Sequence, residues 1–176
     1  LTDVALHLAE KGHDIQVIAS RLSYESDEGP YPAADTHGGV TIHRVATPSF
    51  GRGSITGRVA DYLGFYVTAF FKTLATAKKG DVVIAKTDPP VLSWPIGLAA
   101  RIKGAKRANW LQDLYPEVAE AFGVLRSDAL STRMVRHLRD NSLRKADCNV
   151  AIGDRMADLL RKQGVADSRI TVIPNM

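Results

Sequence analysis

The chain has 176 residues, 45% of them hydrophobic and 24% charged, with 14 Gly and 8 Pro. That composition suits a globular domain and excludes collagen-like and low-complexity classes. Lys and Arg number 23 against 19 Asp and Glu, a net +4 compatible with nucleic acid, an anionic membrane or a phosphorylated substrate and diagnostic of none. No apolar run approaches the ~20 residues of a bilayer-spanning helix, and the opening Leu1-Thr2-Asp3 offers neither the basic region nor the apolar core of a secretory signal. The single cysteine, Cys148, allows no internal disulfide and no metal-ligand set, which points to a reducing cytosol.

Helix-like and strand-like segments alternate from end to end. Residues 1–11 place Leu1, Val4, Ala5 and Leu8 at helical spacing, and Gly12 is the expected stop. A β-branched strand follows at 15–19. A helix, a glycine and a strand in this order read as the second half of a βαβ unit, so a leading strand and glycine-rich turn are expected before Leu1. Residues 20–39 are polar and broken by Gly29, Pro30, Pro32 and Gly38-Gly39, which predicts a loop. Residues 40–45 alternate as a strand near the sheet edge. A second loop covers 47–57 and a helix 58–79, whose stretch from Tyr62 to Phe71 holds no charge.

Residues 81–85 (DVVIA) read as a strand covered on both faces. The loop Lys86-Thr87-Asp88-Pro89-Pro90 leads into a helix over 91–103. A strand at 107–111 ends in Gln112-Asp113-Leu114-Tyr115-Pro116-Glu117. Helices are expected at 117–122 and 129–145, then a strand at 148–152, a helix at 154–163 and a strand at 170–173. This βαβ alternation predicts an α/β, doubly wound, mostly parallel Rossmann-like sheet forming a single domain. Ligands of such sheets sit beyond the carboxyl ends of the strands.

Several chemistries lack their residues. The five histidines form no i, i+4 pair and have no cysteine partner, so no metal site is expected. No GxGxxG, Walker loop or GxSxG is present. Cys148 opens an apolar strand and reads as a structural thiol. Gln112-Asp113 is the best constellation, because a carboxylate at a strand end beside Tyr115 can orient a sugar hydroxyl. Glu117 suits either substrate or the first turn of a helix. Lys86, Thr87 and Asp88 occupy the neighbouring strand end, where Lys86 can meet a phosphate. Arg52 and Arg58 flank the start of the uncharged helical stretch. That stretch reads equally as a core helix or as a face for an anionic membrane. The basic run Arg133, Arg136, Arg139, Arg144 and Lys145 reads as the solvated side of a helix.

Three segments carry a family resemblance. The helix followed by Lys11-Gly12-His13-Asp14-Ile15-Gln16-Val17-Ile18 resembles the "LA-x-x-GH-x-V-x-V" opening of group-1 (family 4) glycosyltransferases. Ile170-Thr171-Val172-Ile173-Pro174-Asn175 is similar to their "V-x-V-I-P-N" hinge. Trp110-Leu111-Gln112-Asp113-Leu114-Tyr115-Pro116-Glu117 resembles the "QD-L-W/Y-P-E" segment of a bacterial subgroup that includes fucosaminyltransferases and colanic-acid-type enzymes of surface polysaccharide synthesis. The resemblance implies that residues 1–176 are the N-terminal, acceptor-side half of a GT-B arrangement, with the donor-binding C-terminal domain absent. The implied reaction is a retaining glycosyl transfer in bacterial polysaccharide assembly, with no divalent metal or other cofactor. Gln112 stands where many relatives carry a His, which favours hydrogen bonding to the sugar over proton transfer. Asp113 and Gln112 are the implied catalytic pair, with Tyr115, Glu117, Lys86, Thr87, Asp88, Arg52 and Arg58 binding substrate. The implied partners are a nucleotide-sugar donor, held mostly by the other domain, a saccharide or lipid-linked acceptor and the inner-membrane surface, and not nucleic acid. The implied location is the cytoplasm, peripheral to that membrane. The competing readings are a nucleotide-sugar epimerase domain of GT-B-like fold, which would lack the paired glutamates of a C-terminal half, and a non-enzymatic Rossmann-like binding module.

Overall fold

A computed structural model describes residues 2–22, 31–50, 55–117 and 129–174. The expected helix at 117–122 falls almost wholly outside them, as does Arg52. The chain divides into two compact units, 1–73 and 74–176, and the strands fall into a sheet of three and a sheet of four.

In the first unit, α1 (Thr2–Glu10) lies against β1 (Ile15–Ser20) and β3 (Val40–Val45). β1 and β3 run parallel, with Ile15 opposite Val40 and Ser20 opposite Val45. A further strand, β2 (Ala34–His37), pairs antiparallel with β3. The expected 20–39 loop is therefore corrected over its last part, and β3 is the middle strand rather than an edge. β2 is hidden in the sequence because Ala-Asp-Thr-His has no apolar alternation. Its connection was visible: Gly38 and Gly39 have φ of 54° and 80°. Two consecutive positive φ values make the two-residue hairpin turn whose twist matches paired strands, and glycine adopts them without Cβ strain.

The helix α2 (Ile55–Thr76) starts the crossing toward the second unit. Val59, Leu63, Val67 and Phe71, spaced four apart, are all exposed, whereas Gly57, Ala69 and Thr73 are buried. The core-helix reading of the uncharged stretch therefore holds for one side of α2 only, and the other side is exposed apolar surface.

The second unit is a wholly parallel sheet in chain order: β4 (Val82–Lys86), β5 (Lys106–Trp110), β6 (Cys148–Ala151) and β7 (Ile170–Val172). Helix α3 (Ser93–Lys103) connects β4 to β5, α4 (Leu130–Lys145) precedes β6, and α5 (Asp154–Lys162) connects β6 to β7. α3 packs on β4, β5 and α4, and α5 on β6 and β7. Helical crossovers between parallel strands are the Rossmann-like arrangement. The core joins Leu111, Leu114, Leu143, Ala151, Ala157, Leu160 and Val165. β4 departs from the expected two-sided burial: Ala85 is buried, but Val82 and Ile84 on the opposite pleat are exposed. An apolar run reports strand propensity, and whether both faces are covered depends on tertiary neighbours.

A polar pair lies inside this sheet. Asn109 and Asn149 face each other across β5 and β6, both buried, and Asn109 Nδ2 donates to Asn149 Oδ1 at 2.8 Å. Asn149 Nδ2 donates in turn to the carbonyls of Leu143 (3.0 Å) and Arg169 (3.3 Å). These bonds satisfy amide groups that would otherwise be costly to bury.

Candidate functional site

The segment after β5 alternates anchored and presented residues. Leu111, Leu114 and Pro116 are buried, whereas Asp113 is exposed and Gln112, Tyr115 and Glu117 are half-buried. The Leu111 N–H donates to the Val150 carbonyl at 2.9 Å, extending the β5–β6 ladder one residue past the strand. Burying Leu111 and Leu114 on either side of Gln112-Asp113 turns that dipeptide toward the carboxyl edge of the sheet. Among the described residues, the Asp113 carboxylate has no hydrogen-bond or ion-pair partner. A carboxylate in water on a well-anchored loop is a ready acceptor for a ligand hydroxyl.

The neighbouring strand end joins it. Lys86 closes β4 opposite Trp110 of β5, and the Gln112 N–H donates to Thr87 Oγ1 at 3.2 Å. Lys86 and Asp88 are exposed and unpartnered among the described residues. Just beyond, Val91 sits at φ 64°, a left-handed conformation that costs a β-branched residue about 1–3 kcal/mol. The structure thus brings Lys86, Thr87, Asp88, Gln112 and Asp113 to one edge.

Tyr115 and Glu117 are held from below by α4. Arg139 donates from its two terminal nitrogens to the two Glu117 oxygens, each at 2.8 Å, and to the Tyr115 carbonyl at 3.3 Å. Its Nε donates to Asp140 at 2.6 Å. The Arg139 side chain is 8% exposed and Glu117 39%. Arg136 adds a second cation 3.7 Å from Glu117. Burial alone would push the Glu117 carboxyl up, but the Arg139 hydrogen bonds, the bond to its own backbone and the charges of Arg139 and Arg136 hold it below the usual carboxylate range. Burial likewise works against the Arg139 cation, and Glu117 and Asp140 overcome it and hold its pKa above the usual value. Burial raises the Tyr115 phenol. The expectation that the 133–145 basic run is a solvated helix side is corrected here: Arg133, Arg144 and Lys145 are exposed, but Arg139 turns inward. Sequence reasoning missed Arg139 as part of the site. Its seven-residue spacing from Thr132 puts both on one buried side of α4, a relation visible only once Thr132 is known to be buried.

The first unit has its own strand-end features. Ser20 and Thr47, just at and beyond the ends of β1 and β3, share a 2.8 Å hydroxyl–hydroxyl hydrogen bond, and the Leu22 N–H donates to Ser20 Oγ at 3.0 Å. Beside them, Ala46, Thr47, Pro48, Leu63, Gly64, Val67 and Thr68 line an open, mostly apolar groove of about 650 Å³. Gly64 makes this closeness possible, because a Cβ there would overlap the Pro48 ring. Arg58 is exposed in the early part of α2. Cys148, expected to be structural, is half-buried with its sulfur 3.6 Å from Thr171 Oγ1. Among the described residues, no three His, Cys, Asp or Glu side chains converge, and no helix is long and apolar enough to cross a membrane.

Comparison with known proteins gives the family. A family model described as "Glycosyl transferase 4-like domain" matches residues 1–176. The chain is similar to a "Probable glycosyltransferase WbjE" of Pseudomonas aeruginosa, 34% identical over 101 residues. That alignment covers 57% of this chain and 25% of the relative, so the chain spans only a fraction of that protein's length. With its parallel α/β sheet and a family match over its whole length, the chain belongs to the glycosyl transferase 4-like domain family.

Proposed function

We propose that this chain supplies the acceptor side of a glycosyltransferase cleft, in an enzyme that moves a sugar from a nucleotide-activated donor to a saccharide acceptor of bacterial surface polysaccharide, with retention of configuration and without a divalent metal. The observation that carries the reading is the exposed Asp113, without a partner among the described residues, on an anchored loop at the carboxyl edge of the sheet. Glycosyl transfer needs an acceptor hydroxyl aligned with the anomeric carbon, which gains positive charge as the phosphate leaves. Asp113 accepts that hydroxyl's hydrogen bond, and the Gln112 amide holds the sugar. Lys86 at the adjacent strand end faces the negative charge that develops on the leaving phosphate. Tyr115 and Glu117 shape the loop, and Glu117 does so through both of its oxygens on Arg139.

The apolar groove at 46–48 and 63–68, with the Ser20–Thr47 hydroxyls beside it, suits an amphiphilic acceptor and supports a lipid-linked one. An enzyme acting on such an acceptor works at the cytoplasmic face of the inner membrane. The test is acceptor-dependent release of nucleoside diphosphate by the full-length protein, using a panel of nucleotide sugars and lipid-linked saccharides. Release that requires both substrates supports the reading. Donor interconversion without any acceptor would replace it with epimerisation.

A further inference from the structure

Between α3 and α4, over the start of β5, lies a crevice of about 130 Å³. Trp94, Arg101, Arg107, Asn109, Asn141 and Lys145 are among the residues lining it. Three of these are cations. Arg107 is 3.8 Å from Asp147 and its N–H donates to the same carboxylate at 2.8 Å, whereas Arg101 and Lys145 are exposed with no partner among the described residues. Asn109, otherwise buried, reaches the crevice but spends an amide N–H on Asn149, so the charge for an anion comes from the cations.

Apolar surface adjoins this charge. Trp94, Leu98 and Ile102, spaced four apart along α3, are all exposed. The unit is also the basic part of the chain, holding seventeen of the 23 Lys and Arg residues against eleven of the 19 Asp and Glu. Unopposed cations around a polar notch, beside an exposed Trp-led stripe, match the two-part chemistry of an anionic lipid: a phosphate for the notch and an acyl boundary for the stripe. The exposed stripe on α2 matches it less well. It has Asp61 among its polar neighbours, and its cations Arg58 and Lys72 already interact elsewhere.

We infer that the α3–α4 surface is where this protein docks on an anionic phospholipid bilayer, with the phosphate headgroup in the Arg101–Arg107–Lys145 crevice and Trp94, Leu98 and Ile102 at the acyl boundary. The inference rests on the membrane-facing part of the proposed function and replaces the α2 stretch as the contact. The test is co-sedimentation of the full-length protein with phosphatidylcholine vesicles, with and without phosphatidylglycerol, over a salt series. Wild-type protein should pellet only with the anionic vesicles and release as salt rises. Arg101→Glu/Lys145→Glu should weaken partitioning by about 30-fold or more, and Trp94→Ala should weaken it at every salt concentration. Val59→Glu, at an exposed position of the α2 stripe outside the groove, should leave it unchanged.

Three results would overturn the inference: no wild-type binding to anionic vesicles, binding that survives the double charge reversal, or saturable crevice binding of inorganic pyrophosphate without vesicle binding. The third would mark a soluble-ligand site instead. Transfer to an acceptor in detergent micelles should be the same in wild type and Arg101→Glu/Lys145→Glu. Loss of docking is thereby separated from failure of the glycosyltransferase reading, which would abolish micellar activity in wild type as well.

Discussion

Removing Glu117 should unfasten the loop that presents Asp113. Arg139 donates to four acceptors, and Glu117→Ala deletes two of them, both at 2.8 Å. Hydrogen bonds to charged groups are worth about 1.5–3 kcal/mol each, and orphaning a buried partner of an ion pair costs about 3–5 kcal/mol. Two observations lower that figure. Asp140 still neutralises the guanidinium at 2.6 Å, and the 39% exposure of Glu117 lets water into the vacated place. The expected cost is therefore about 2–3 kcal/mol, or a fall in Tm of roughly 5–10 °C for a chain of this size. Replacing both partners with apolar groups in Glu117→Leu/Arg139→Met should recover at least about 1.5 kcal/mol relative to the sum of the single variants. Urea unfolding of wild type, Glu117→Leu, Arg139→Met and the double variant gives the cycle directly. A change within about 0.5 kcal/mol for Glu117→Ala would refute the claim that this pair holds the loop.

The same pair sets an acid dependence. Because Glu117 has a folded-state pKa below its unfolded value of about 4.3, its contribution is complete above that pH and is lost as the pH falls through the lower folded value. The stability gap between wild type and Glu117→Gln should thus stay constant from about pH 5 to 8 and close in more acid buffer. A gap that instead widens in acid would contradict the direction of the shift. Asn149→Ala removes the buried amide that bonds Asn109, Leu143 and Arg169, and should cost about 2–4 kcal/mol in denaturant unfolding. Gly64→Ala should push the Pro48 ring off α2 and cost about 1–3 kcal/mol, where an exposed helical Gly→Ala would otherwise stabilise. A stabilised Gly64→Ala protein would show that Pro48 does not pack there.

The strands of the second unit were legible because each is a short segment between helix-length ones, mostly apolar at β4, β6 and β7, while β5 (Lys106–Trp110) with its Lys, Arg and Asn follows from its place in the alternation. The loop at 112–117 was legible for the same reason: its position after β5 follows from strand spacing alone. β2 was not, since its pairing is made by backbone hydrogen bonds to β3 and needs no apolar side chain. The inward turn of Arg139 was also hidden. A charged residue in a basic run carries no mark of its partner, and Glu117 lies 22 residues away in sequence. One-sided coverage of β4 and of α2 depends on what packs nearby, which periodicity cannot report. Within the site, the sequence identified the residues that meet solvent, Asp113 and Lys86, and missed the buried one that positions their neighbours.

The most direct test of the central claim is the steady-state kinetics of Asp113→Asn in the full-length enzyme, alongside its Tm. The expected result is a fall in kcat/KM for the acceptor of about 10- to 100-fold, the loss of one charged hydrogen bond to a hydroxyl, with an unchanged Tm because the side chain is exposed and has no partner among the described residues. Turnover equal to wild type would contradict a role for this carboxylate at the acceptor hydroxyl.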